Sequence, residues 1–399
     1  MFTLIKKDKN SRARVGVIKT AHGEIETPAY VMVATRGVVK TLNTEEVHRT
    51  GTQLLIANTF HLWQEQLPEI ERAGGIHEQF GWDGMPLMTD SGGFQVFSYG
   101  FSREHDIGKV GMFVDEHHRR SVARGDRKEK NRVTITNEGV RFHLPESGAV
   151  VKYAMLTPGR SMEIQQMLGA DIIFAFDECT SPEHNYEYTK EALERTHRWA
   201  RACCAASLRP YQHLYGIVQG GHWRDLREES ARFMNALPFS GYGIGGSLGR
   251  TKQDMANVLD WTIPLLDERR PRHLLGIGAI GDVVDGIARG IDTFDCVIPT
   301  REARHGSNWT RLGRYDVRNA ASAVPELLEQ ECECDACATT TQKTLREMFR
   351  SRDQNAGRLA TIHNMFFFNR LMADARIAIR EGSFDQFRRE TIGRFLLKR

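Results

Sequence analysis

The sequence predicts an α/β chain, a TIM-type (β/α)8 barrel followed by a C-terminal zinc-binding helical subdomain. Three observations carry this expectation: eight short apolar runs alternate with segments of helical spacing, polar residues close those runs, and three cysteines crowd together near the C-terminus. A chain of 399 residues can hold such a barrel and an appendage, although its length alone also admits two ordinary domains.

The eight runs are Tyr30 to Ala34, Leu54 to Asn58, Pro86 to Asp90, Asp171 to Glu178, Leu214 to Gln219, Tyr242 to Gly245, His273 to Gly276 and Thr293 to Val297. Each is short, β-favouring and closed by Gly or a polar residue, as a buried strand is. Helical spacing fills Glu187 to Leu208, Arg224 to Leu237, Lys252 to Leu266 and Gly281 to Gly290. Strands alternating with helices predict a closed parallel sheet whose active site lies where the strands end. The expected bounds are 1–315 for the barrel, with a basic insertion at about 101–155, and 316–399 for the zinc-binding subdomain and C-terminal helices. Alternation through Val133-Thr134-Ile135-Thr136 and Val140-Arg141-Phe142-His143 predicts a small hairpin at the barrel rim. Long helical segments are expected from Thr341 to Ala378.

Composition narrows the function classes. Apolar residues at 40% and charged residues at 26% exclude a disordered chain. No run of eighteen apolar residues occurs and the opening Met1-Phe2-Thr3-Leu4-Ile5-Lys6-Lys7 is too short for a signal peptide, so a cytoplasmic protein with no membrane association is expected. Lys and Arg exceed Asp and Glu by only three, so the sum does not announce a nucleic-acid binder. Local clustering does more: nine Lys/Arg fall between Arg103 and Arg132, a charge run that serves either as a solvated face or as a grip on phosphate.

The seven cysteines are odd in number and crowd towards one segment, a poor disulfide framework and a good metal site. Cys332, Cys334 and Cys337 form Cys-X-Cys-X-X-Cys, and His363 follows 26 residues after the last. Three thiolates and an imidazole complete a tetrahedral Zn²⁺ shell with no open position, which makes one structural zinc per chain the expectation. The competing reading is three reduced core cysteines and a packed helix histidine.

Asp90, Asp177, Gln219, Gly246 and Asp295 each stand at or just beyond the end of an expected strand. Any one of them alone could be a helix cap or turn former. Asp90 leads into the glycine-rich turn Ser91-Gly92-Gly93-Phe94-Gln95, whose exposed amides suit a planar ligand or a phosphate. Asp295 is followed by Thr300, Arg301, Arg304 and His305, which suit phosphate contacts. Two carboxylates facing one cavity suit chemistry at a sugar anomeric carbon, one attacking C1′ while the other moves a proton. Asp177 as acceptor of ring donors, Gln219 at a carbonyl edge and the bare amide of Gly246 would recognise a purine-like base.

Taken in order, Asp90-Ser91-Gly92-Gly93-Phe94-Gln95, Phe176-Asp177-Glu178-Cys179, Gly216-Ile217-Val218-Gln219-Gly220, Phe294-Asp295-Cys296-Val297 through Pro299-Thr300-Arg301 and the cysteine cluster resemble the motifs of bacterial tRNA-guanine transglycosylases. The resemblance spans nearly the whole chain apart from residues 101 to about 133. It implies a TIM barrel with a zinc subdomain, working as a homodimer, that replaces guanine at the wobble position of tRNAs with a GUN anticodon by a 7-deazaguanine base. By the same resemblance Asp295 is the nucleophile and Asp90 the general acid/base, with Asp90, Ser91, Gly92, Gly93, Phe94, Asp177, Gln219 and Gly246 around the base. RNA contacts would come from Gly276, Ile277, Gly278, Ala279, Ile280, Gly281 and Asp282, and from Thr300, Arg301, Glu302, Ala303 and Arg304. Extruding a base from a single-stranded anticodon loop is cheap, which agrees with such chemistry.

One departure bears on the incoming base. Ser247-Leu248-Gly249-Arg250 stands where the family has Leu, a small residue and a nearby acidic position. Asp177-Glu178-Cys179 implies the aminomethyl base preQ1, whereas the small Gly249 would admit the bulkier queuine. The rival functions are a non-catalytic RNA-binding subunit and an unrelated zinc-stabilised TIM-barrel hydrolase; a guanine-exchange assay separates them.

Overall fold

The computed structural model describes residues 1–94, 133–144, 152–319 and 327–396. The basic stretch Arg103 to Arg132 lies outside the described residues. Ahead of the barrel, β1 (Phe2–Lys7), β2 (Arg14–Thr20) and β3 (Gly23–Thr27) form an antiparallel sheet in that order. The sequence reading misses these strands, because β1 is buried only at Phe2 and its remainder, with Leu4 half-buried and Ile5 exposed, carries no core-facing alternation.

The eight expected runs are the eight barrel strands: β4 (Ala29–Val33), β5 (Leu55–Ala57), β6 (Leu87–Thr89), then, after three strands of the insertion, β10 (Ile172–Phe174), β11 (His213–Val218), β12 (Gly241–Ile244), β13 (Arg272–Leu274) and β14 (Thr293–Asp295). They close into one barrel in chain order, β14 returning to β4 with Thr293 opposite Ala29. Continuous apolar runs such as Leu55-Ile56-Ala57 and Ile172-Ile173-Phe174 are buried throughout, as parallel strands enclosed on both faces require.

The expected helices follow their strands as Tyr186–Cys204, Arg224–Ala236, Lys252–Thr262 and Ile280–Ala288. Asn185 caps the first by accepting the Tyr188 backbone N–H, and Thr251 with Asp254 forms a capping box on the third. The expected hairpin is present as β7 (Val133–Ile135) and β8 (Val140–Leu144), with β9 (Lys152–Leu156) added as a third antiparallel strand. Beyond the barrel, β15 (Ser307–Thr310) and β16 (Gly313–Asp316) pair, and the expected long helical region breaks into Gln342–Ser351 and Gln354–Glu381. Left-handed Arg352 ends the first of these helices and the Asp353 side chain caps the second.

Two compact units divide the chain. One comprises Met1–Ala57, Ile76–Met88 and Pro271–Arg399. Its core contains Tyr30, Trp82, Phe294 and Phe368, and a fully buried Arg14–Asp292 ion pair ties β2 to the residue before β14. The other comprises Asn58–Gly75 and Thr89–Arg270, with Phe174, Phe176, Tyr215 and Tyr242 in its core. In this unit the Trp199 indole N–H donates to Asn137 O at 2.7 Å, anchoring the β7–β8 turn to the helix Tyr186–Cys204. Among the described residues no helix is long and apolar enough to cross a membrane.

Candidate active site

In the unit that contains Thr89–Arg270, Asp90 follows β6 directly. Its Oδ1 accepts the backbone N–H groups of Thr59 (2.9 Å) and Gly92 (3.1 Å), and its Oδ2 accepts Asn58 Nδ2 at 2.7 Å. Asn58 also caps the helix Thr59–Glu65, so one strand-end asparagine fixes both a helix start and the carboxylate beside it. Ser91 is buried; its hydroxyl donates to Asp177 Oδ1 at 3.2 Å while its carbonyl accepts Ser161 Oγ at 2.7 Å. Gly92 and Gly93 carry the turn, and Phe94 is exposed beyond it.

Asp177 is buried, and Gln219 Nε2 donates to its Oδ2 at 2.6 Å. A carboxylate accepts only, so the Gln219 amide nitrogen must face it. Gln219 Oε1 is then buried with no hydrogen-bond partner among the described residues. An orphaned buried acceptor is costly, and it marks a place where a ligand would complete the hydrogen bonding. Burial pushes the Asp177 carboxyl up from 3.8 to about 6, against the lowering effect of hydrogen bonds from Gln219 and Ser91. Gly246 lies against this amide in a left-handed conformation, φ +74°, and a Cβ there would fall 2.0 Å from Gln219 Oε1. Only glycine leaves that backbone bare. Gly249 has a different reason: its φ is +100° and the space a Cβ would take is filled by Asp254.

Beneath these loops lies Arg227, fully buried on the helix Arg224–Ala236. Its guanidinium donates to the carbonyls of Val218 (2.8 Å), Gly221 (2.6 Å), Gly245 (3.0 Å) and Ser247 (2.9 Å), the segments that flank Gln219 and Gly246. Burial lowers it to about 9. Sequence reading misses this residue because an Arg in an amphipathic helix reads as surface.

In the unit that contains Pro271–Arg399, Asp295 ends β14 and is half-buried. Its Oδ1 accepts the Gly276 backbone N–H at 2.9 Å and lies 3.1 Å from His273 Nε2. Cys296 follows directly, and burial pushes its thiol up to about 12, which keeps it protonated at neutral pH.

The expected RNA contacts divide by exposure. Gly276 and Arg301 are exposed, and Ala279, Gly281, Glu302 and Arg304 are half-buried. Ile277, Gly278, Ile280, Asp282, Thr300 and Ala303 are buried and support the loop and the helix Ile298–Arg304 from within. Glu302 is engaged with the Trp309 indole N–H at 2.9 Å.

In the same unit Cys332, Cys334, Cys337 and His363 offer ligand atoms that all lie within 4.8 Å of one another. The three sulfurs stand 3.8, 3.7 and 3.5 Å from His363 Nδ1. Donors on a tetrahedral ion with Zn–S and Zn–N bonds of ordinary length sit ~3.6 Å apart, so the set fits. His363 Nε2 donates to Trp309 O at 2.9 Å, which turns the Nδ1 lone pair towards the sulfurs.

The family model for queuine tRNA-ribosyltransferase matches residues 8–395. A relative from Archaeoglobus fulgidus is 45% identical over 395 residues, covering 96% of this chain and 97% of its own. Two relatives named queuine tRNA-ribosyltransferase are each 42% identical: that of Pelotomaculum thermopropionicum covers 99% of this chain and 98% of its own, and that of Desulforamulus reducens 96% of both.

Proposed function

The chain belongs to the queuine tRNA-ribosyltransferase family and is therefore a pentosyl-transferring enzyme of tRNA processing, and on that premise we propose that it exchanges guanine at the wobble position of GUN-anticodon tRNAs for a 7-deazaguanine through a covalent intermediate on Asp295. The observation that carries this reading is the buried pair Asp177–Gln219 beside the bare amide of Gly246, with Gln219 Oε1 left unpaired. A guanine edge carries two adjacent N–H donors and a carbonyl. The donors suit the Asp177 carboxylate and the unpaired Gln219 Oε1, which only accepts, and the carbonyl suits the Gly246 N–H rather than the Gln219 amide expected from sequence.

Asp90 and Asp295 both stand at carboxyl ends of strands in one parallel barrel, the end at which such barrels place their chemistry. In the first step Asp295 attacks C1′, the C1′–N9 bond breaks with its electron pair on guanine, and Asp90 supplies the proton that guanine carries away. In the second, Asp90 takes the proton from N9 of the incoming base, N9 bonds to C1′ and the Asp295 carboxylate leaves. The incoming base in this reading is preQ1 in preference to queuine, in keeping with the Asp254 side chain occupying the space beside Gly249. Phe94 stacks near the base. Gly276, Arg301 and Arg304 face the RNA backbone, supported by the buried residues around them. One structural Zn²⁺ sits on the Cys332–Cys334–Cys337–His363 set, and the working form is a homodimer.

The test is exchange of radiolabelled guanine into an anticodon stem-loop bearing U-G-U, followed on a denaturing gel. Wild type should form an RNA–protein adduct and Asp295→Ala none. An undiminished adduct in that variant removes the nucleophile assignment, and absence of exchange in the wild type removes the reaction.

A further inference from the structure

His273 lies on β13 directly opposite Thr293 of β14, and its side chain is fully buried. Residues two apart on a strand share a face, so Thr293 and Asp295 present both side chains to this one ring. His273 Nδ1 is 2.9 Å from Thr293 Oγ1, and Nε2 is 3.1 Å from Asp295 Oδ1. An ionised carboxylate only accepts, so Nε2 carries the proton. Nδ1 of the neutral ring then accepts the Thr293 hydroxyl, which fixes both tautomer and ring plane. The Gly276 amide donates to the same Oδ1. Oδ2 accepts no hydrogen bond among the described residues.

The geometry points to His273 as a positioning residue that assigns the two oxygens of Asp295 different tasks. Oδ1 is held by two donors and Oδ2 is presented for bonding to C1′. This inference rests on Asp295 being the nucleophile. When the Oδ2–C1′ bond forms, Oδ1 becomes the carbonyl oxygen of a neutral ester. When the incoming N9 bonds to C1′, the C1′–Oδ2 bond breaks, its electron pair goes to Asp295, and charge returns to a carboxylate already facing two donors. Hydrogen bonds to charged oxygen are about twice as strong as those to neutral carbonyls. The His273 N–H therefore favours departure of Asp295 over persistence of the ester, as preorganised donors do wherever charge develops.

The experiment uses the full chain and a tRNA transcript with G at the wobble position. Adduct is formed first, labelled guanine is added, and adduct decay is followed on a denaturing gel, with kcat and KM for tRNA measured in parallel. His273→Leu should slow decay and lower kcat about tenfold with KM for tRNA unchanged, since one hydrogen bond to a charged group is lost. His273→Gln, which keeps a donor near Nε2, should recover most of the rate. Wild-type decay in His273→Leu, or a Gln variant no faster than the Leu variant, overturns the inference. Should His273→Leu fail to fold, Thr293→Val decides: it leaves the imidazole but removes the hydroxyl that orients it, and an unchanged decay rate overturns the inference. Asp295→Ala runs beside these variants. Adduct in that lane overturns the nucleophile and this inference together, whereas its absence alongside wild-type decay in His273→Leu overturns this inference alone.

Discussion

Asp177→Asn is expected to stabilise the ligand-free protein while abolishing base exchange. Burial raises the Asp177 carboxyl from 3.8 to about 6, so the folded chain holds this proton at pH values where the unfolded chain has released it. The stability that the group contributes is complete below 3.8 and is lost as pH rises through about 6. A difference of about two pH units, at about 1.4 kcal/mol each, means that the ionised carboxylate costs the fold ~3 kcal/mol above roughly pH 7. Asparagine avoids that cost and keeps the local hydrogen bonds, its carbonyl accepting Gln219 Nε2 and its amide donating to Ser91 Oγ. With unfolding entropy of roughly 2.1 cal/mol/K per residue over 399 residues, Tm should rise by ~3–4 °C at neutral pH. Scanning calorimetry from acid to neutral pH should show this gain shrinking almost to nothing near pH 4, where the wild-type carboxyl is protonated as well. Exchange should fall by about a thousandfold or more, because an amide donor would then face the donors of the base. A Tm gain of equal size at pH 4 and pH 8, or a loss at both, would refute the buried-charge argument.

Arg227→Met leaves the buried carbonyls of Val218, Gly221, Gly245 and Ser247 without their common donor, and should cost on the order of 4 kcal/mol and weaken base binding. Calorimetry and guanine titration check this, and an unchanged Tm with unchanged affinity contradicts the role assigned to the guanidinium. Metal analysis of the purified chain should find one zinc per chain. Cys334→Ala should lose that zinc together with several kcal/mol of stability, while a folded wild-type chain free of metal would end the zinc assignment.

The hairpin over 133–144 and the cysteine cluster were legible because their signals are local. Alternation sets one strand face, and Cys-X-Cys-X-X-Cys places three sulfurs within reach of one ion whatever surrounds them. The strand-end polar residues could be found for a related reason: Asp90 and Asn58 each close an apolar run, and they prove to be hydrogen-bonded to one another. The first three strands were not legible, since β1 and β2 carry exposed lysines and owe their form to pairing rather than to their own pattern.

By itself the sequence determined what periodicity and spacing encode: eight parallel-type strands, the helices between them, a four-residue metal set, and acids where strands end. Tertiary structure alone decided which side chains act on those acids. His273 is an ordinary strand histidine until the register of β13 on β14 sets it between Thr293 and Asp295, and Arg227 is an ordinary helix cation until two loops turn four carbonyls towards it. The physical reason is that hydrogen-bond partners distant in sequence are chosen by register and burial, which no local pattern records.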